Sequence, residues 1–429
     1  MNLNIPARLA LVLALLSVMS RAHAADNWPH WRGPQSNGVG AEGNYPVKFS
    51  ADEGVAWKVD LPGLGMSTPA AWDDHIFVTC GIDGKDGVIA YDFAGNELWR
   101  KEFGAERPGK SPNASGSNPS PATDGEYLVV YYKSGTLASL DFAGKVLWKI
   151  NLQEKYGADT LWWDLATSPV LAGERVIIAV MQDGDSYLAA FNVATGEEIW
   201  KQKRQYERPK ESDQSYTTPQ LAKIDGREVI ITWGADHLTT HDIATGELVA
   251  QYSGFNPNDQ GMWRVIASQA VGDDVAVIPF GRGKLLSAVQ LKGQGDFASK
   301  FLWEKHDLGA DVPTPVIEGG KVYLLGDAGQ LACLDLRSGE ELWKDSLPRN
   351  RNKYYASPVL AGGNLFCVRE DGVVFVVAVG DGFKLLSENK MGEKIIATPV
   401  PVRNGLLIRG EQHLFRIGGE AGDGGQPAG

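Results

Sequence analysis

The sequence repeats one order of short segments along almost its whole length. The first copy begins at Ser67-Thr68-Pro69, continues through apolar segments at residues 75–80 and 87–92, and ends at residues 95–99 (GNELW) with Leu98-Trp99. A single copy of this kind cannot bury its apolar faces alone, so neighbouring copies must pack against one another. The order therefore predicts a repeat architecture.

Eight copies begin along the chain, and their spacing indicates the kind of repeat. The closing Trp position recurs at intervals of 40 to 53 residues from Trp57 onward, which is the range of four-stranded propeller blades. The strand segments are nearly continuous apolar runs, as expected where both faces of a sheet are covered. A content of 51 Gly and 22 Pro also favours turns and short strands over helices. The copies begin at Pro69, Pro121, Pro169, Pro219, Gln269, Pro315, Pro358 and Pro399.

The two ends of the repeat region predict how the ring closes. After Pro399 the last copy lacks a fourth strand, whereas residues 54–59 carry the closing-strand signature before the first copy begins. Pairing these two ends would leave no open sheet edge. The predicted fold is an all-β, eight-bladed propeller over residues 54–417, preceded by an extension at residues 25–53 and followed by a flexible Gly-rich tail at residues 418–429.

Residues 1–24 have the pattern of a secretory signal peptide. Arg8 precedes a short apolar run at residues 9–18, and Ala22-His23-Ala24 offers a cleavage site. The run is too short to span a bilayer, which needs about 20 apolar residues. No Cys lies near the cleavage site, which disfavours a lipid anchor. We expect a periplasmic or secreted protein without a membrane span.

Charge and cysteine content exclude other classes. The formal net charge is -12, and no basic run offsets it, so phosphate-driven nucleic-acid binding is not expected. Cys80, Cys333 and Cys367 each lie in an apolar run, which favours buried thiols, with a disulfide between Cys333 and Cys367 as the alternative.

The Trp that closes most copies has two interpretations. A ring of indoles could form a ligand surface, but a bulky residue at one repeat position more often fills the wedge between neighbouring blades. We favour the structural interpretation for Trp57, Trp99, Trp148, Trp200, Trp303 and Trp343.

Two segments carry a resemblance to a known family. Residues 192–200 (NVATGEEIW) resemble the pyrroloquinoline-quinone-like (PQQ-like) propeller repeat, and the resemblance extends over about residues 54–417. Residues 27–34 (NWPHWRGP) are similar to the WPxWRGP opening of a group of exported PQQ-like propellers of mostly unassigned role.

The resemblance implies one of two kinds of protein. The family includes quinoprotein dehydrogenases and the non-enzymatic propeller subunit of the outer-membrane β-barrel assembly machinery. This chain lacks the lipid-modified Cys of the latter and the adjacent Cys pair of the former. Residues 159–164 (DTLWWD) are similar to the HDxWDYD segment of the dehydrogenases, but Ala158 replaces the His and the second half does not match.

A binding site is expected on the propeller face that carries the inter-blade connections, because loops there can vary without disturbing the sheets. The connections at residues 100–118, 149–166, 201–216 and 251–265 are long. Aromatic and Arg side chains in such loops are typical of binding hot spots, although they could also form a local cap. The candidate binding residues are Trp162, Trp163, Asp164, Tyr216, Trp263, Arg264, Arg282, Tyr354 and Tyr355.

The functional hypothesis is an exported, non-enzymatic scaffold or binding protein, expected to be a monomer, that presents this face to a protein or polysaccharide partner. The alternative is a dehydrogenase that uses PQQ with Ca²⁺. A cofactor with three carboxylates needs compensating positive charge, which this acidic chain does not obviously supply, so we expect no cofactor and no PQQ binding tighter than about millimolar. The Asp-Gly pairs at residues 83–84, 183–185 and 371–372 are interpreted as hairpin turns rather than Ca²⁺ loops.

Overall fold

A computed structural model describes residues 27–418. The predicted signal peptide lies outside these residues, as does the predicted tail apart from Gly418, which ends the last strand. Among residues 27–418, no helix is long and apolar enough to cross a membrane.

The prediction of an eight-bladed propeller is confirmed, because the strands form eight four-stranded antiparallel blades in a ring, one of which carries an additional parallel strand at its outer edge. In each blade the first strand lies innermost, at the central channel, and the fourth lies outermost. Blade 1 contains β2 (Ala70–Trp72), β3 (His75–Ile82), β4 (Lys85–Tyr91) and β5 (Glu97–Ala105); blade 2, β6 (Ala122–Thr123), β7 (Tyr127–Tyr131), β8 (Thr136–Asp141) and β9 (Val146–Asn151); blade 3, β10 (Val170–Ala172), β11 (Arg175–Val180), β12 (Tyr187–Asn192) and β13 (Glu198–Lys203); and blade 4, β14 (Gln220–Ile224), β15 (Arg227–Gly234), β16 (His237–Asp242) and β17 (Leu248–Ser253).

The second half of the ring follows the same order. Blade 5 contains β18 (Ala270–Gly272), β19 (Val275–Phe280), β20 (Leu285–Gln290) and β22 (Trp303–His306); blade 6, β23 (Val316–Glu318), β24 (Lys321–Leu325), β25 (Gln330–Asp335) and β26 (Glu341–Ser346); blade 7, β27 (Val359–Ala361), β28 (Asn364–Arg369), β29 (Val373–Ala378) and β30 (Lys384–Lys390); and blade 8, β31 (Val400–Val402), β32 (Gly405–Arg409), β33 (His413–Gly418) and β1 (Val55–Asp60). The loops carry a short helix α1 (Leu152–Tyr156) and a 3-10 helix (Lys210–Asp213), and β21 (Gly295–Ala298) lies between β20 and β22.

Closure of the ring also follows the prediction. The N-terminal strand β1 pairs antiparallel with β33, with Trp57 opposite Arg416 and Asp60 opposite His413. The last blade therefore combines strands from both ends of the chain, and its sheet edge is covered.

Neighbouring blades are joined near the axis by a ring of hydrogen bonds. The residue before the Pro position of each copy is Ser or Thr, and its backbone N–H donates to the hydroxyl of the equivalent residue in the next blade at 2.9 to 3.3 Å. Seven such bonds link eight residues, here called the hydroxyl ring. Its members are Thr68, Ser120, Ser168, Thr218, Ser268, Thr314, Ser357 and Thr398.

Further from the axis, the repeated Trp joins one blade to the next, as the structural interpretation predicts: five of the six Trp donate an indole hydrogen bond to the next blade, and Trp343 lies near Phe383 of the next blade, with ring centroids 6.3 Å apart. The indole N–H of Trp148, for example, donates to the Val193 carbonyl of the next blade at 2.7 Å. The ring packs on the turn that follows, where a Cβ added at Gly196 would lie 2.7 Å from the indole, so that glycine (φ 74°) leaves room for the Trp. Equivalent indole bonds of 2.8 to 3.0 Å are made by Trp57, Trp99, Trp200 and Trp303.

The two copies without this Trp lie where the next blade has no such turn. Ala250 takes the Trp position in blade 4. In the next blade, the loop between β20 and β22 forms β21, which pairs in parallel with β17 and stacks Phe297 on Tyr252. Leu386 takes the Trp position in blade 7. In the next blade, β33 and β1 come from opposite ends of the chain and no turn joins them. Residues 47–51 cover β30 instead, through hydrogen bonds such as that from the Ala51 backbone N–H to the Lys390 carbonyl. The loss of the Trp is therefore matched by local packing.

Residues 28–40, here called the plug, cross the central channel on the side away from the long loops. Trp28 exchanges two backbone hydrogen bonds with Ala71 of blade 1, and Gly38 and Gly40 bond to Leu360 of blade 7. Arg32 is buried between them and donates to the carbonyls of residues 315 and 358. The WPxWRGP motif therefore encodes a segment that spans the channel.

The Trp contacts give a stability prediction. Trp148→Ala should lower the free energy of unfolding by about 3–5 kcal/mol, because it leaves a cavity between two blades. Trp162→Ala removes an indole that is 50% exposed and should cost under about 1 kcal/mol. Urea unfolding followed by fluorescence and circular dichroism compares the two variants, and equal losses would contradict the inter-blade role of Trp148.

Candidate functional site

The inter-blade connections and the middle hairpins lie on the same face of the propeller, here called the loop face, because strands alternate in direction within each blade. At its centre the channel opens into a cavity of about 680 Å³, here called the cup. Six of the nine candidate residues line the cup, although they come from five different loops. They are Trp163, Asp164, Tyr216, Arg264, Arg282 and Tyr355.

The other three candidates lie elsewhere. Trp162 is on the outer surface of the loop face. Trp263 is half-buried, with its ring centroid 6.2 Å from that of Phe280. Tyr354 is only 2% exposed and packs against Phe375. Because successive side chains of an extended segment point in opposite directions, Tyr354 belongs to the core while Tyr355 faces the cup.

Asp164 is held in a buried ion pair. Its carboxylate contacts the ammonium of Lys133, and both side chains are almost completely buried. It also accepts the backbone N–H of Lys110 at 2.9 and 3.0 Å. With its charge compensated and its oxygens occupied, this carboxylate fixes the loop at residues 157–169 to blade 2.

Four further charged groups form a compact cluster at one side of the cup. Glu211, from the 3-10 helix, lies 3.5 Å from Arg264 and 3.1 Å from Arg282. Asp311 lies 3.5 and 3.4 Å from the same two guanidinium groups. Two positive and two negative charges therefore compensate one another, and the sequence-based prediction found only the two Arg.

One carboxyl and one amine of the lining remain beside this cluster. Asp327 accepts the backbone N–H groups of Asp311 and Val312 at 2.7 and 3.1 Å, and burial raises its pKa above the ordinary value. Lys353 is exposed at the edge of the cup. Neither residue was predicted; the backbone N–H of Tyr354, next to Lys353, donates to the Asp327 carbonyl at 3.1 Å, so both lie at the same part of the wall.

The loop that carries both exposed indoles is fixed by side-chain hydrogen bonds. The backbone N–H of Trp162 donates to the Gln214 side-chain oxygen at 2.8 Å, and the backbone N–H of Trp163 donates to the Tyr216 hydroxyl at 3.1 Å. The Lys110 ammonium donates to the carbonyls of Trp162 and of the preceding residue at 3.0 and 2.7 Å. The side chains of the two Trp are 50% and 46% exposed, so two large apolar groups lie at the surface on a backbone that is fixed by hydrogen bonds.

The cup does not fit a cofactor with three carboxylates. Its two Arg are already compensated by Glu211 and Asp311, which leaves Lys353 as the remaining cation of the lining. The three thiols are buried in β3, β25 and β28, and burial raises the pKa of Cys80 and Cys333 to about 11. Within residues 27–418, no three His, Cys, Asp or Glu side chains are grouped to hold a metal ion.

Comparison with known proteins gives one family. The family model described as "Outer membrane protein assembly factor BamB" matches residues 85–264 and 282–395. The protein of that name from Salmonella typhimurium is 23% identical over 293 residues, which are 63% of this chain and 66% of that protein. The chain thus covers less than two thirds of the length of the first curated relatives.

Solved structures share the fold at low identity. BamB from Moraxella catarrhalis superimposes with a TM-score of 0.60 at 16% identity, covering 84% of this chain and 99% of the other. A europium-containing methanol dehydrogenase reaches a TM-score of 0.66 at 12% identity, covering 90% and 89%. These similarities establish the propeller fold.

The buried ion pair gives a second prediction. Asp164→Ala should lower the free energy of unfolding by about 3–5 kcal/mol, because it leaves the Lys133 ammonium buried without a partner. Replacing the pair by Asp164→Leu with Lys133→Met should recover most of that loss.

The matched control is the exposed pair of Lys85 and Glu102, whose side chains are 2.6 Å apart. Glu102→Ala should cost no more than about 1 kcal/mol in the same urea titration. A single Asp164→Ala variant as stable as the parent would show that the ion pair does not fix this loop.

Proposed function

We propose, since this chain belongs to the family described as outer membrane protein assembly factor BamB, that it is a non-enzymatic scaffold that assists outer membrane protein assembly by binding a protein partner on the loop face. The family match covers more than half of the chain. The predicted signal peptide supports a location outside the cytoplasm, on the periplasmic side.

The single observation that carries the proposal is the rigid pair Trp162 and Trp163. Exposed indoles are the side chains most enriched in interface hot spots. Because side chains of Lys110, Gln214 and Tyr216 already fix the backbone beneath them, little conformational entropy remains to be lost on binding.

The surroundings of the indole pair support the same function. Met262 is 41% exposed, and the carbonyl of this residue accepts a hydrogen bond from Arg282. The Arg264 guanidinium lies 5.9 Å from the Trp163 ring. Trp, Met and Arg around a partly desolvated centre are the composition of protein interfaces.

The dehydrogenase alternative has weaker support. The similarity to methanol dehydrogenase is one of fold at 12% identity. The charge pairs of the cup offer poor compensation for a tricarboxylate, and Asp164, in the segment similar to the dehydrogenases, is occupied by Lys133 and Lys110. We therefore propose that the protein works without PQQ.

The experiment uses the tagged mature protein expressed in its own host. It should co-purify from the solubilised envelope with components of the outer-membrane β-barrel assembly machinery, identified by mass spectrometry. The double variant Trp162→Ala, Trp163→Ala should reduce their recovery at least tenfold, because hot-spot truncations cost about 2 kcal/mol or more each.

The matched control is Leu342→Ala, which removes a side chain that is 46% exposed on the outer strand of blade 6. Recovery with this variant should equal that of the parent. Absence of assembly components from the parent sample, or an equal loss with Leu342→Ala, would contradict the proposal.

A further inference from the structure

The cup is closed at its base by the plug. Trp31 lines the cup and also a small cavity below it, and the neighbouring Arg32 anchors the segment to blades 6 and 7. A Cβ added at Gly38 (φ 77°) would lie 2.5 Å from the Arg32 guanidinium, so the plug packs closely around this side chain. In the part of the chain that the structure describes, a ligand can therefore enter only from the loop face.

The wall of the cup presents hydroxyl protons. Seven members of the hydroxyl ring line it, all except Thr314. In six of the seven, the oxygen already accepts a backbone N–H from the preceding blade. Each of these hydroxyls still has one proton to donate, and among the described residues none has a protein acceptor for it. The cup thus offers a circle of donors to an acceptor inside.

The charges of the cup are matched. Arg264 and Arg282 are compensated by Glu211 and Asp311, and Asp164 by Lys133. A polyanion would find little net positive charge here, and a polycation would find little net negative charge. Uncharged ligands that carry many hydrogen-bonding oxygens fit this balance best.

Aromatic faces complete the lining. Trp31 lies at the base, and Trp163 and Tyr355 lie on the wall. A sugar ring carries C–H groups on its faces and hydroxyl groups at its edge, so it can pack on an indole while its oxygens accept hydrogen bonds. A volume of about 680 Å³ is in the range of pockets for ligands of two or three sugar units.

We propose that the cup binds a neutral saccharide, either a free oligosaccharide or the end of a longer glycan chain. This site adjoins the proposed partner surface and shares Trp163 with it, but the inference does not rest on the proposed scaffold function. The ligand class follows from the donor ring, the matched charges and the aromatic faces together.

The experiment is isothermal titration of the purified mature protein with cellobiose, maltose and N,N′-diacetylchitobiose as neutral probes. Digalacturonate and PQQ with Ca²⁺ are the charged probes. At least one neutral disaccharide should bind with a Kd below 1 mM, tighter than either charged probe. Maltoheptaose and cellohexaose distinguish the two sources, because only a site that accepts chain ends would bind them as tightly as the disaccharide.

Filling the cup should abolish this binding. Val312→Trp places an indole in the lining and should weaken the neutral disaccharide at least tenfold, whereas Leu64→Trp adds the same group at an exposed position that does not line the cup and should leave the Kd unchanged. Tyr355→Ala removes an aromatic face of the cup without adding volume and should also weaken binding of the neutral disaccharide. This variant tests the site if Val312→Trp does not fold.

Three results would overturn the proposal: no neutral saccharide binds, a charged probe binds more tightly, or the cup variants bind like the parent. Co-purification of the assembly partner with Val312→Trp separates the two inferences. Val312→Trp should still co-purify with the assembly partner, and this co-purification tests the scaffold function alone.

Discussion

The contact between one blade and the next is the interaction on which the whole structure depends. Near the axis it is a backbone N–H donated to a Ser or Thr hydroxyl, and further out it is an indole that packs on a glycine turn and donates to a carbonyl. Both contacts are made by residues at fixed positions of the repeat. Because no contact requires the long loops, these can vary and carry a site.

Those same contacts explain what could be predicted from the sequence. The Pro and Trp positions mark inter-blade contacts, so their spacing predicts the blades, and the unmatched strand at residues 54–59 predicts the closure. The absence of the Trp in two copies also has a local cause. The blade after blade 4 has β21 where the glycine turn would lie, and blade 8 has no turn there because its two outer strands come from opposite ends of the chain.

The charged cluster of the cup could not be predicted in the same way. Glu211 and Asp311 lie in loops that are distant in sequence and are brought together through Arg264 and Arg282, and Asp327 lies beside Asp311. Nothing in the sequence distinguishes Tyr354 from Tyr355, although one lies in the core and the other faces the cup. The repeat pattern shows that residues 27–34 stand outside the blades, but not that they cross the channel.

The proposed function requires that a protein partner binds the loop face at the indole pair of Trp162 and Trp163. The most direct test is a photo-cross-linking amino acid placed at position 162 in living cells, compared with one at Asp124, which is exposed in a turn on the opposite face. The account predicts a cross-link from position 162 to an outer-membrane assembly protein and none from position 124. Equal cross-linking from both faces, or cross-linking from position 124 alone, would contradict it.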